Sequence, residues 1–100
     1  MSRVAETGAM GRAIVRLPSP LRPLAGGRAE VPVSGTTVGA VVEELAATYP
    51  ALRSQLLTND GRLRKFVNVY LNDRDVRELA ADATPVRDSD VLSIVPSVGG

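Results

Sequence analysis

The chain has 100 residues, 44% of them apolar and 23% charged, a composition that fits one ordinary globular domain. Twelve basic residues against eleven acidic ones leave a formal charge of +1, too small for the electrostatic attraction that nucleic-acid binding requires. Because the chain contains no Cys and no His, disulfides, thiol catalysis, zinc sites and imidazole acid–base chemistry are excluded. We therefore expect neither a catalytic residue nor a bound metal or cofactor.

Membrane and export signals are also missing from the sequence. No segment is apolar over the length that a bilayer requires, and the N-terminus lacks the apolar core of a signal peptide. We therefore expect a cytoplasmic protein without a membrane partner. Residues 1–11 are small, polar and without sustained periodicity, so they are interpreted as a flexible leader outside a domain that spans residues 12–96.

Two strands are predicted first, at residues 12–18 and 29–33. Apolar side chains alternate in both, as expected of half-buried strands: Ala13, Val15 and Leu17 in the first, and Val31 and Val33 in the second. Three prolines and the pair Gly26-Gly27 separate these runs and favour a reversal, so the two strands should form a hairpin. Pro32 has no backbone N–H, which predicts that the second strand lies at a sheet edge.

A helix is predicted next, beginning after Thr36 or Thr37, either of which can cap its N-terminus. Apolar residues recur at helical spacing on one face: Val38, Val41, Val42, Leu45, Ala46 and Tyr49. Pro50 should end this helix, and the leucines at 52, 56 and 57 indicate a short second helical piece.

The remaining elements are predicted to be strands. Residues 66–71 are rich in strand formers, with Val67, Val69 and Leu71 on one face and Phe66, Asn68 and Tyr70 on the other. Val76 and Leu79 mark a short strand and a loop, and a last strand runs from Val91 to Val95. This order of elements predicts an α+β fold in which one sheet is covered by one main helix.

The sequence ends in Ser97-Val98-Gly99-Gly100, directly after Pro96. Pro96 should end the last strand, and two residues without side chains leave a thin, flexible tail that a narrow active site can admit. Transfer of the Gly100 carboxylate to an ATP phosphate would make a mixed anhydride, and attack by sulfide or a persulfide would give a thiocarboxylate. Such a group stores nucleophilic sulfur in a chain without Cys. A frayed end without function is the alternative interpretation.

Several separate segments resemble the ThiS/MoaD family of sulfur carriers, and most closely its members from actinobacterial cysteine biosynthesis. The resemblance covers nearly everything from Arg12 to Gly100 and is carried by these segments: Leu21-Arg22-Pro23 with Gly26-Gly27, Gly35 to Val42, Phe66-Val67-Asn68-Val69-Tyr70-Leu71-Asn72-Asp73, Asp75-Val76-Arg77, and Asp90 to Gly100.

This resemblance implies a ubiquitin-like β-grasp fold with a mixed sheet of four to five strands. It also implies two partners: an E1-like adenylating enzyme that uses ATP to activate Gly100, and an enzyme that accepts the sulfur. The carrier itself would be a monomer, a substrate of these enzymes and not an enzyme. In one departure from its relatives, Val98 joins Gly99 without a further small residue, which shortens the reach of the tail by about 3.3 Å.

The last strand also predicts a docking surface. If Leu92 and Ile94 face the core, Val95 and Tyr70 lie as apolar groups on the open face of the sheet, beside the tail. Family members dock through this region, so the resemblance implies the same role here. An isolated exposed residue, or one covered by a loop, is the alternative interpretation.

Three functions remain open from the sequence. The first is a sulfur carrier that supplies a thiocarboxylate to a cysteine synthase holding an activated serine derivative. The second keeps the same chemistry but delivers sulfur to thiamin, through a thiazole-synthase-like enzyme, or to molybdopterin or a thiosugar natural product. The third is a ubiquitin-like modifier whose Gly100 is transferred to lysines of other proteins.

Overall fold

The structure is a computed structural model that describes residues 12–65 and 67–96. These residues form one five-stranded sheet in the order β2-β1-β5-β3-β4, in which β1 and β5 are parallel and the other neighbours are antiparallel. The strands are β1 (Arg12–Arg16), β2 (Glu30–Ser34), β3 (Val67–Leu71), β4 (Arg74–Asp75) and β5 (Val91–Pro96). The helices are α1 (Val38–Thr48) and α2 (Pro50–Leu56), with 3₁₀ helices at Ser19–Ala25, Val76–Glu78 and Ala81–Ala83.

The hairpin of β1 and β2 confirms the first pair of predicted strands. The apolar residues of both strands are buried as expected. The N–H of Leu17 donates to the carbonyl of Ala29 at 2.8 Å, and the alternation of such bonds turns the backbone nitrogen of Pro32 away from β1. β2 is therefore an edge strand, and its proline removes a donor from the edge where another chain could pair.

The segment between β1 and β2 is more regular than the predicted reversal. It forms a 3₁₀ helix whose buried Leu21 and Ala25 join the core. Gly26 ends it with a φ of +68°, a conformation that favours glycine, and the N–H of Gly27 donates to the carbonyl of Arg22 at 2.7 Å.

The main helix α1 begins at the predicted cap. Thr37 Oγ1 accepts a hydrogen bond from the N–H of Ala40 at 3.1 Å, which satisfies a donor of the first helical turn. Five of the six residues predicted on its apolar face are buried: Val38, Val41, Val42, Leu45 and Ala46. The sixth, Tyr49, follows the last helical residue and is half-buried. Pro50 then opens α2, because a proline is tolerated in the first turn of a helix.

The sheet has one covered face and one open face. The covered face carries the alternate residues of the strands, including Val15, Val69, Leu92 and Ile94, all at most 3% exposed. The same alternation was predicted for β3 and β5, and it is confirmed for residues 67–71 and 91–95. Phe66 lies outside the described residues. No α-helix in ranges 12–65 and 67–96 is long and apolar enough to cross a membrane.

The predicted strand at Val76 is wrong. The strand there is Arg74–Asp75, and Val76 begins a 3₁₀ helix. The reason is local: Asp75 Oδ1 accepts a hydrogen bond from the N–H of Arg77 at 2.9 Å, and this cap turns the chain away from β3 after two paired residues. Val76 is buried, while Leu79 follows the turn and stays 38% exposed.

Candidate functional site: the open sheet face and the tail exit

The open face of the sheet carries the two residues predicted to dock partners. Val95 is 43% exposed because its neighbours in β5, Ile94 and Leu92, take the covered positions. On the adjacent strand, Tyr70 is half-buried and shares the open face with Asn68. An exposed valine beside a partly exposed tyrosine forms a small apolar surface, here called the docking face.

The strand register fixes how close these residues lie. Asn68 is directly opposite Val95, and Tyr70 is opposite Ser93, so Tyr70 and Val95 are diagonal neighbours on one face. Diagonal neighbours are about 7–8 Å apart between Cα atoms, within reach of an aromatic side chain. The structure therefore brings together the two residues that the sequence assigned to docking, and their role as a contact surface stays a prediction.

A charged cluster beside the docking face was not predicted. The guanidinium of Arg77 donates through Nη2 to Asp75 Oδ2 at 3.2 Å and to Asn68 Oδ1. The side-chain and backbone hydrogen bonds from Arg77 hold the pKa of the Asp75 carboxyl below its usual range. The same side-chain bond raises the pKa of Arg77. The sequence does place Asp75 and Arg77 two residues apart. Their contact, however, depends on the 3₁₀ turn that follows Asp75, and the contact of Arg77 with Asn68 depends on the pairing of another strand.

The tail leaves the sheet next to the docking face. In the last register pair of β3 and β5, Val67 lies opposite Pro96, so the chain reaches residue 97 at the end of the sheet where β3 begins. Because β5 lies between β1 and β3, the tail leaves from the interior of the sheet. The predicted tail residues Ser97, Val98, Gly99 and Gly100 lie outside the described residues, and their role stays a prediction.

The residues that the structure describes include no group of His, Cys, Asp and Glu arranged to hold a metal ion. In this part of the chain, the candidate site consists of the small apolar surface of Tyr70 and Val95 and the end of β5, from which the chain continues toward Gly99 and Gly100.

Comparisons with known proteins agree with this architecture. Sulfur carrier protein CysO from Mycobacterium tuberculosis (strain H37Rv) is 42% identical over 88 residues, which cover 86% of this chain and 95% of that protein. A chain in the crystal structure of the Amycolatopsis orientalis BexX/CysO complex is 33% identical, with a TM-score of 0.80 and coverage of 88% of this chain and 98% of that one.

The solution structure of small archaeal modifier protein 1 from Methanosarcina acetivorans is 32% identical, with a TM-score of 0.83 and coverage of 91% and 97% of the two chains. These neighbours confirm the ubiquitin-like β-grasp fold that the sequence predicted. The sequence matches the ThiS family over residues 15–100, a range that includes both terminal glycines. The chain belongs to the ThiS family.

Proposed function

We propose that this protein is a sulfur carrier, adenylated at the carboxylate of Gly100 and converted there to a thiocarboxylate. The observation that carries the proposal is the 42% identity to a CysO sulfur carrier over 86% of the chain, together with a family match that reaches Gly100. The composition supports it, because a chain without Cys cannot hold transferable sulfur as a thiol or persulfide.

The proposed chemistry takes place on partner enzymes, and ATP is their substrate. The Gly100 carboxylate attacks the α-phosphorus of ATP, pyrophosphate leaves, and an acyl adenylate forms. Sulfide then attacks the acyl carbon and AMP leaves, which yields the thiocarboxylate. A persulfide donor would instead form an acyl disulfide, whose S–S bond a thiol must reduce to release the thiocarboxylate. The carrier supplies the acyl group and the surface by which an E1-like enzyme recognises it, so it is a substrate and not a catalyst.

The docking face has a defined part in this proposal. Val95 lies one residue before Pro96, so an enzyme seated on Tyr70 and Val95 holds the start of the tail at a fixed position. Such positioning makes activation of a particular carboxylate effectively intramolecular. The open face supports this arrangement because it leaves the covered core undisturbed during docking.

We further propose that the sulfur goes to an activated serine derivative on a cysteine synthase. The support is the similarity to CysO, the carrier of actinobacterial cysteine biosynthesis. In that transfer, the thiocarboxylate sulfur forms a bond to the β-carbon of the serine derivative as its activating group leaves. Hydrolysis of the resulting thioester linkage, directly or after its rearrangement to an amide, restores the Gly100 carboxylate. Delivery to thiamin, molybdopterin or a thiosugar is the same chemistry with a different acceptor.

The similarity to a small archaeal modifier protein favours a second candidate, transfer of Gly100 to lysines of other proteins. One experiment separates the two. The protein is incubated with an E1-like enzyme of a ThiS-family system, ATP and a sulfur donor, and its intact mass is measured. A carrier gains the mass expected when sulfur replaces one carboxylate oxygen. Amide-linked adducts to lysine, with no thiocarboxylate, would replace the carrier proposal by the modifier.

A further inference from the structure

A cavity of about 490 Å³ lies between the loop at residues 62–65, the start of β3 and the 3₁₀ turns after β4. Its inner wall is apolar and belongs to the core: Val69 and Val76 are buried, and Leu63 and Val67 are half-buried. The volume is within the range of cavities that hold small ligands or inserted side chains. It lies on the covered side of the sheet, so it is a different surface from the docking face.

Positive charge collects at the mouth of this cavity. Four basic side chains, Arg62, Arg64, Lys65 and Arg77, line it together with a single acidic one, Asp82. Because Asp75 pairs with Arg77, the net charge of the lining comes from Arg62, Arg64, Lys65 and Asp82 and is +2, against +1 for the whole chain. All five charged lining residues are exposed, so they can meet an incoming partner without rearrangement of the core.

Of these four basic side chains, Arg77 is paired with a carboxylate, that of Asp75. In the described part of the chain, Glu30 pairs with Arg16, Glu43 with Arg53, and Asp75 with Arg77. Within the same residues, no carboxylate forms an ion pair with Arg62, Arg64 or Lys65. Arg64 is held in place instead by a 2.7 Å hydrogen bond from its Nε to the carbonyl of Ser54. The rim thus presents three exposed cations, Arg62, Arg64 and Lys65, that have no ion-pair partner among the described residues.

We propose that this cavity receives an extended segment of a partner protein in which acidic residues flank an apolar side chain. The carboxylates would pair with the cations of the rim, and the apolar side chain would pack on Leu63 and Val67, the half-buried residues of the wall. A free phosphate would leave Leu63 and Val67 uncovered. A nucleic acid is disfavoured because the formal charge of the whole chain is only +1, too small for the electrostatic attraction that nucleic-acid binding requires. Binding of such a segment at this cavity would not require that Gly100 carry sulfur.

The chain offers a specific reporter for this site, because Lys65 is its only lysine. A zero-length carbodiimide reagent joins a carboxylate to an amine that contacts it, and the only other primary amine is the α-amino group of the N-terminus. A cross-link from an acidic peptide to Lys65 therefore reports occupation of the rim. Peptide mapping by mass spectrometry distinguishes the two amines.

The probe is a capped synthetic hexapeptide, Glu-Asp-Leu-Val-Asp-Glu, added to the full-length protein. Methyl NMR should show shifts at Val67, Val69 and Val76, and the peptide should cross-link to Lys65. The double variant Arg62→Glu/Lys65→Glu should weaken binding at least about tenfold. The double variant Arg28→Glu/Arg87→Glu makes the same charge change at two exposed arginines outside the cavity, and it should change binding by less than about twofold.

Four results would overturn the proposal: no methyl shifts at saturating peptide, shifts centred on Tyr70 and Val95, equal binding of a hexapeptide with lysines in place of the acids, or equal weakening by the control variant. Tight binding of an octauridylate that displaces the peptide would also overturn it in favour of a nucleic-acid site. If the Arg62→Glu/Lys65→Glu protein fails to fold, Lys65→Glu alone and the cross-link on the unmodified protein still decide the matter.

Discussion

The docking face is the part of the proposed mechanism that a single substitution tests most sharply. Val95→Asp places a carboxylate where Val95 is 43% exposed and where an activating enzyme is expected to exclude water. Burial of a polar or charged group without a partner costs roughly 1–3 kcal/mol in mutational studies. At about 1.4 kcal/mol per factor of ten, binding of the E1-like enzyme should weaken by about 5- to 150-fold. Tyr70→Asp should act in the same direction, because Tyr70 is the diagonal neighbour of Val95.

Leu79→Asp is the matched control. Leu79 is 38% exposed, nearly the same as Val95, but it follows the Val76–Glu78 turn and is not on the docking face. Binding is measured by calorimetric titration of each variant with the activating enzyme. Thermal unfolding of the free proteins checks that Val95→Asp and Leu79→Asp, both at exposed positions, change stability by no more than about 0.5 kcal/mol, and that the Tyr70→Asp protein remains folded. Unchanged binding of both Val95→Asp and Tyr70→Asp, or an equal loss with Leu79→Asp, would refute the docking face.

Three further predictions concern the fold that presents this face. Leu92→Ala in the central strand should lower the free energy of unfolding in urea by about 2–5 kcal/mol because Leu92 is 0% exposed, and a loss below about 1 kcal/mol would contradict the assigned core. Gly35→Ala should lower it by about 1–3 kcal/mol, because a Cβ there would lie 2.9 Å from the backbone nitrogen of Val41, whereas Ser34→Ala should be nearly neutral. NMR titration should give the carboxyl of Asp75 a pKa below the ordinary value of an aspartate, because Arg77 donates hydrogen bonds to it. The stabilising pair is then complete above the ordinary pKa and is lost as the pH falls through the lowered pKa. Arg77→Met should return the pKa to the ordinary value, and an unchanged pKa in this variant would show that the pair does not form in solution.

Most of the fold could be predicted because it follows from side-chain alternation. In β1 and β5 the buried apolar residues recur at every second position, and in α1 they recur at helical spacing. Burial of these residues therefore determines which face of the sheet packs on which face of the helix. Pro32 and Thr37 added positional signals with direct physical causes, a missing N–H and a capping hydroxyl. The same alternation placed Val95 and Tyr70 together on the open face.

Features that depend on distant parts of the chain could not be predicted in this way. The two-residue strand β4 ends where it does because the side chain of Asp75 caps the following turn, a contact that leaves no periodic pattern. The cation-lined cavity joins Arg62 and Lys65 to Arg77 and Asp82, which are about a dozen or more residues away in sequence. In the sequence alone, the basic run at residues 62–65 is not distinguishable from a solvated turn.

The central claim is that Gly100 carries the sulfur, and fragmentation mass spectrometry of the reacted protein tests it most directly. After incubation with the E1-like enzyme, ATP and a sulfur donor, the added mass should map to Gly100. A variant without Gly100, and one with a single residue added after it, should both remain unconverted while they retain the cooperative unfolding of the original chain, because the enzyme requires a carboxylate at a fixed distance from the docked body. Conversion of the extended variant, or sulfur located at any other residue, would contradict the account.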